Sequence, residues 1–169
     1  MLIFRPYKNC DAKTIVTWID DEKTFYLWSA DVIGKYPISA DELNDNYEKQ
    51  KDNANFMVFT ACNEENVPVG HMIMRFLDEE HKKLRFGFII VDGRVRGKGY
   101  GKEMLLLAQK YAFEFLHVDE ISLGVFVDNS NAMYCYKSVG FAESGELTKY
   151  NINNEEWECM DLIIQKVTS

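Results

Sequence analysis

The stretch Arg94-Val-Arg-Gly-Lys-Gly-Tyr-Gly-Lys-Glu-Met104 sets three of the chain's ten glycines at alternate positions, Gly97, Gly99 and Gly101, among four cations. It follows an apolar run and leads into a helical pattern. Glycine lets a backbone approach a ligand closely and adopt positive φ. A turn entering a helix also leaves several amide N–H groups without helical partners, and the helix dipole favours an anion there. The stretch therefore points to a backbone cradle for phosphate, with Arg94, Arg96, Lys98 and Lys102 adding charge. A solvated turn is the alternative. Two common nucleotide motifs fail on particular residues. A P-loop needs four residues between its glycines and Ser or Thr after the lysine, but only three separate Gly93 from Gly97, and Gly99 follows Lys98. A dinucleotide fingerprint needs a third glycine where Lys102 stands, and a parallel sheet from the start.

The elements that carry this stretch follow from the hydrophobic period. Leu2–Tyr7 reads as a strand, and Asp11 as the cap of a helix bearing Ile15, Val16, Trp18 and Ile19. Asp20 to Tyr36 is aromatic and irregular, with Pro37 after it. Ser39-Ala-Asp-Glu42 is a capping-box pattern that predicts a helix from Ala40 to Lys51. The period then changes: Asn55–Cys62, Val67–Leu77 and Lys82–Val91 predict an antiparallel meander joined by short polar turns. Gly101–Val118 predicts a long helix with Leu105, Ala108, Ala112, Phe115 and Leu116 on one face. A strand at Glu120–Val127, a helix at Asn131–Ser138 and strands at Phe141–Leu147 and Trp157–Val167 close the chain. The strand–helix–strand unit around the glycines makes the fourth and fifth strands parallel.

The whole chain, 169 residues, reads as a single domain over 1–169 with an α/β (α+β) fold. Net charge is -8, from 19 Lys+Arg against 27 Asp+Glu. That balance argues against nucleic acid, whose binding needs surplus cations. It is compatible with a cationic substrate, although acidity also serves solubility. No apolar run is long enough to span a membrane, so no membrane partner is expected. Cys10, Cys62, Cys135 and Cys159 form no CxxC pair, so no metal is expected. Scattered thiols and an N-terminus that does not read as a leader make the cytoplasm the expected compartment.

A second pattern lies thirty residues on: Asn129-Ser-Asn-Ala132-Met-Tyr-Cys-Tyr136-Lys-Ser-Val-Gly140-Phe141. With Arg96-Gly-Lys-Gly99-Tyr-Gly101, the chain resembles the GNAT N-acetyltransferases, whose motifs are (Q/R)xxGx(G/A) and NxxAxxxYxxxGF. The branch it resembles is that of the ribosomal-protein alanine and polyamine acetyltransferases. The resemblance is weakest from Asp20 to Asn55. It implies a central mixed, mostly antiparallel sheet of about seven strands, flanked by about four helices. Its parallel fourth and fifth strands splay apart around acetyl-CoA, the co-substrate. The amides of Gly97, Lys98, Gly99, Tyr100, Gly101 and Lys102, with Arg96, would hold the pyrophosphate. Main-chain groups of Ile89, Ile90 and Val91 would pair with pantetheine, and a nearby N–H would polarise the thioester carbonyl. Asn129 would contact the cofactor, and Tyr136 would protonate the leaving thiolate. Taken singly, Asn129 also reads as a helix cap and Tyr136 as a core aromatic.

The base is open. Some relatives carry a glutamate where this chain has Arg85, others where it has Gly124. Deprotonating a lysine-like amine at pH 7 costs roughly 4–5 kcal/mol and a peptide α-amine about 1–1.5, so a site without a strong base favours the α-amine. Asp20, Asp21, Glu22 and Asp31 are candidate replacements, with a solvated acidic face as the alternative. His71 is more simply a packing residue. Trp18, Phe25, Tyr26, Trp28 and Tyr36 line an acceptor pocket or form core. Gly145 to Trp157 reads as a hairpin with an Asn-rich tip, which in related enzymes edges the acceptor site or a homodimer contact. The resemblance thus implies direct acetyl transfer to a primary amine, on a small molecule or a protein N-terminus. The other reading is a non-catalytic acyl-CoA-binding or sensing domain.

Overall fold

The computed structural model describes residues 1–168. Its strands are β1 (Ile3–Pro6), β2 (Phe56–Cys62), β3 (Pro68–Phe76), β4 (Lys83–Val91), β5 (Glu120–Phe126), β6 (Ala142–Ile152) and β7 (Glu155–Gln165). They form one seven-stranded sheet in the order β1-β2-β3-β4-β5-β7-β6. Among the described residues only β4 and β5 run parallel, as the helix-bearing crossover between them allows. That helix is α4 (Tyr100–Lys110). The others are α1 (Ala12–Ile15), α2 (Glu22–Ser29), α3 (Ala40–Glu48) and α5 (Ser130–Ser138). The fold expected from sequence is therefore the fold observed, with five helices.

Alternation along the strands divides the core in two. Met72 and Met74 of β3 pack with Met104, Leu105 and Ala108 of α4. Ile73, between them, packs with Ile15, Phe25 and Leu43 under α1 to α3. Neighbouring strand residues face opposite sides, so both faces of the sheet are covered.

Three local expectations are corrected. The Asp20–Tyr36 stretch contains α2, whose N-cap Asp21 accepts from the Thr24 amide at 2.6 Å. Its aromatic residues are weak helix formers, and Phe25, Tyr26 and Trp28 hold it by burial against the sheet. Asp11 does not cap α1 with its side chain; it accepts instead from the Lys8 amide at 2.8 Å, closing the 3-10 turn ahead of α1. It is buried and accepts from both Arg5 guanidinium nitrogens at 2.8 and 2.9 Å and from the Thr60 hydroxyl at 2.8 Å, joining β1 and β2 to the first turn. Phe115 is 67% exposed, not on the buried face. A π turn over Tyr111–Phe115 ends the long helix, and its wider turn rotates Phe115 out of phase with Leu105 and Ala108.

His71 is fully buried on β3, its Nε2 2.6 Å from the Tyr47 hydroxyl. Burial pushes its pKa from 6.5 down to about 4. As pH falls, the unfolded chain therefore takes up this proton before the folded chain does. The stability from neutral His71 is complete above pH 6.5 and is lost as pH falls toward 4. Urea unfolding is expected to show a loss of about 2 kcal/mol between pH 7 and 5. His71→Gln should flatten that slope; an equal slope in both proteins would assign the titration elsewhere.

Candidate active site

Parallel pairing of β4 with β5 is confined to Lys83↔Glu120, Leu84↔Ile121 and Arg85↔Ser122. Beyond Arg85 the strands separate. The pairing of β3 with β4 shows why: Ile73 faces Gly87 and His71 faces Ile90, so Phe88 and Ile89 together oppose Met72. This is a bulge, and Phe88 adopts a positive φ of 47°. The extra residue slips the alternation, so that Phe86 packs in one half of the core and Phe88 in the other. The Trp28 indole N–H donates to the Phe88 carbonyl at 2.8 Å and ties α2 to the bulge.

A cleft of about 640 Å³ follows the gap. Ile89, Ile90 and Val91 line it from β4, Gly124 and Val125 from β5, and Asn129 and Tyr136 from the region of α5. Arg96, Gly97, Gly99, Tyr100, Gly101 and Lys102 close one end. Lys98 is exposed and lies off this wall. Arg94 is also turned aside, its guanidinium held by Asp92 at 2.9 Å.

The glycine turn has the features of an anion cradle. Gly97 and Gly99 have φ of 85° and 76°, and a Cβ built on either would meet nothing within 4 Å. Among the described residues, the first amide from this turn to bond back is that of Glu103, to the Gly99 carbonyl at 3.0 Å. The N–H groups ahead of it at the start of α4 are left to an external acceptor. These residues therefore fit a pyrophosphate-bearing cofactor.

Asn129 caps α5: its amide oxygen accepts from the Ala132 N–H at 3.3 Å, which leaves its NH₂ group for the cleft. Tyr136 is 8% exposed. Burial, then the neighbouring Cys135 and Cys159, hold its phenol pKa well above the ordinary tyrosine value. It is a protonated donor across the physiological range. Burial likewise pushes the Cys159 thiol up to about 11, so Cys159 stays a thiol beside Gly124.

A second cleft, of about 620 Å³, opens on the α2–α3 side of the sheet. It shares Leu27, Trp28, Phe86, Gly87, Phe88 and Gly124 with the first, so the two meet at the β4–β5 gap. Phe25, Tyr26 and Trp18 are buried in the core, whereas Trp28 walls both clefts. Of the candidate carboxylates, Asp21 is a helix cap and Asp20, Glu22 and Asp31 are exposed; none lines either cleft. His71 also lies off both walls. The C-terminal hairpin turns at Asn153-Asn154, both with positive φ, and Trp157 anchors it edge-on against Phe126 at 5.2 Å.

Arg85 and Gly124, where the family resemblance implies a glutamate in one member or another, turn out to be one arrangement. The Arg85 guanidinium pairs with Asp161 at 3.0 Å and donates to the Ser122 hydroxyl at 3.2 Å. A Cβ at position 124 would lie 2.9 Å from Arg85 Nη2 and 2.9 Å from Cys159 Sγ. Gly124 thus leaves the room that Arg85 occupies. Each departure is visible along the chain; their fit depends on contacts across β4, β5 and β7.

Comparison with known proteins gives a consistent picture. The family profile described as "Acetyltransferase (GNAT) family" matches residues 12–141. The chain is 30% identical over 112 residues to a spermidine N(1)-acetyltransferase of Vibrio cholerae, covering 66% of this chain and 64% of that one. It is 32% identical over 115 residues to an L-amino acid N-acetyltransferase of Escherichia coli K12, covering 65% of this chain and 68% of that one. The chain thus spans just under two thirds of the Vibrio relative's length. In structure it is similar to spermidine N-acetyltransferase from Vibrio cholerae, crystallised with CoA and spermine. The TM-score is 0.82 at 23% identity, over 97% of this chain and 95% of that one.

Proposed function

The chain belongs to the GNAT family of acetyltransferases, and on that premise we propose that it transfers the acetyl group of acetyl-CoA directly to a primary amine. The observation that carries the proposal is the meeting of two clefts at the splayed β4–β5 gap, one with an anion cradle and the other open to an acceptor. In this reading acetyl-CoA supplies the activated acyl group as a thioester. The amides from Gly97 to Lys102, with Arg96 and Lys102, hold its pyrophosphate. The edge of β4 from Ile89 to Val91 receives the pantetheine arm. The backbone N–H groups beside the Phe88 bulge offer donors for the carbonyl oxygen as it gains charge.

The acceptor nitrogen attacks the carbonyl carbon, a C–N bond forms, and the C–S bond breaks. Tyr136 gives its proton to the departing sulfur; the nitrogen, which carries a surplus proton once the C–N bond has formed, releases it to solvent, and the tyrosinate takes a proton back from solvent. The ammonium proton must leave before attack. Among the described residues no carboxylate lines either cleft, so solvent is its acceptor. Lys49, Arg75 and Arg85 line the acceptor cleft and disfavour a further positive charge, which lowers the pKa of a bound amine. The chemistry therefore proceeds without a strong base. The relatives' names offer two acceptor classes, polyamines and amino acids. The four free thiols fit the reducing cytoplasm as its compartment.

The test is thiol release from acetyl-CoA with the purified chain and a panel of primary amines. Release that depends on an amine, with the acetylated amine found by mass spectrometry, is expected. CoA binding with no amine-dependent release from any member of the panel would instead establish a sensing domain.

A further inference from the structure

Arg75 and Arg85 are direct cross-strand partners in the β3–β4 register. Like charges directly opposite one another destabilise a sheet, so this pairing costs stability unless something offsets it. Asp161 answers only Arg85. Among the described residues, Arg75 has no carboxylate partner and its guanidinium makes no hydrogen bond. Both arginines line the acceptor cleft, and Lys49, at the end of α3, lines it too. The remaining polar wall is uncharged, from Asn46, Gln50, Asn53 and Asn55. The chain as a whole carries a net charge of -8. A cleft with three cations and no carboxylate on its wall is thus a local reversal of the protein's charge.

We infer that the acceptor is a small primary amine that also carries an oxyanion, a carboxylate or phosphate, which Arg75 binds beside Arg85 while the amine reaches the β4–β5 gap. The inference rests on the acetyltransferase reading above and narrows its substrate. A guanidinium matches such an oxyanion with two parallel N–H donors, and the oxyanion removes the repulsion between the two arginines. Arg75 is exposed on the cleft wall; partial desolvation and then the nearby Arg85 lower its pKa from the ordinary value. A polyamine brings two or more ammonium groups to the same wall and meets repulsion from Arg75 and Lys49, whereas Asp161 offsets Arg85. The apolar part of the cleft, including Leu27, Ile33, Phe56 and Phe126, leaves space for a hydrocarbon side chain.

The experiment compares kcat/KM for matched acceptors with the full chain and acetyl-CoA. The carboxylate arm sets L-amino acids, L-phenylalanine and L-methionine among them, against their amides, which keep the amine and lose the charge. The phosphate arm sets phosphoethanolamine against ethanolamine. Spermidine is the polycationic reference. In at least one arm the anionic acceptor is expected to exceed its uncharged counterpart by about tenfold to a hundredfold, the range for hydrogen bonds to a charged group. It is also expected to exceed spermidine. Arg75→Gln should collapse that acid-to-neutral ratio toward one, through KM and not kcat, while its melting temperature stays level or rises as the like-charge pair is relieved. Equal turnover of acid and amide, faster turnover of spermidine, or an Arg75→Gln ratio matching the wild type would each overturn the inference and leave the acetyltransferase reading intact. Turnover of no amine at all would remove both.

Discussion

Tyr136→Phe lowers the single-turnover rate of acetyl transfer by about a hundredfold or more, the usual contribution of a placed general acid, and leaves acetyl-CoA affinity within about twofold. The substitution deletes only the hydroxyl. No hydrogen bond from that hydroxyl to the protein is present among the described residues, and the edge contact of the ring with Phe141 at 6.4 Å survives in phenylalanine. Stability should therefore hold, and the loss falls on the step in which thiolate charge appears. Because burial holds the phenol pKa well above the ordinary value, the wild-type rate should not fall on the alkaline side until well beyond the pH at which a free tyrosine ionises. An unchanged single-turnover rate in the variant would remove Tyr136 from the acid role.

Gly99→Val raises the dissociation constant for acetyl-CoA at least a hundredfold, measured by calorimetric titration of the folded variant. Gly99 sits in the left-handed region, with φ 76° and ψ 15°, as the N-cap of α4. An L-residue there costs about 1–2 kcal/mol, and a β-branched one more. A Cβ at this position meets nothing within 4 Å, so the new side chain projects into the open space of the turn, where the proposed cradle would hold the phosphates. The effect is on the ligand, not on packing. Gly101 gives the contrast. Its Cβ would touch Cys135 Sγ at 3.6 Å and Val91 Cγ2 at 3.7 Å, ordinary contacts, so Gly101→Ala should weaken binding far less. Equal affinities for the wild type and Gly99→Val would move the pyrophosphate away from this turn.

How much of this was legible along the chain depended on the range of the interactions. The meander, the crossover from β4 to β5 and the Asn153-Asn154 hairpin are written in period, turn residues and connection length. The α2 helix was not, because its aromatic residues have weak local preference and it is held by the sheet beneath it. Phe115 was misplaced because a single π turn changes the phase of everything after it. In the site, the proposed cradle at Gly97, Gly99 and Gly101 could be read from the chain because the three glycines lie close together at alternate positions, and the proposed role of Tyr136 because its motif is local.

The sequence by itself determined the fold class, the glycine turn at the head of α4 and the motif that carries Asn129 and Tyr136. These depend on interactions within a few residues or on a regular period. Only the tertiary structure decided that Arg85 fills the space left by Gly124, that β4 parts from β5 where a bulge at Phe88 interrupts its pairing with β3, and that Arg75 and Arg85 stand side by side on the wall of a cleft that no carboxylate lines among the described residues. Those facts depend on side chains from β3, β4, β5, β7 and the α2–α3 region meeting in space, and charge reversal at a site cannot be read from a chain whose total charge has the opposite sign.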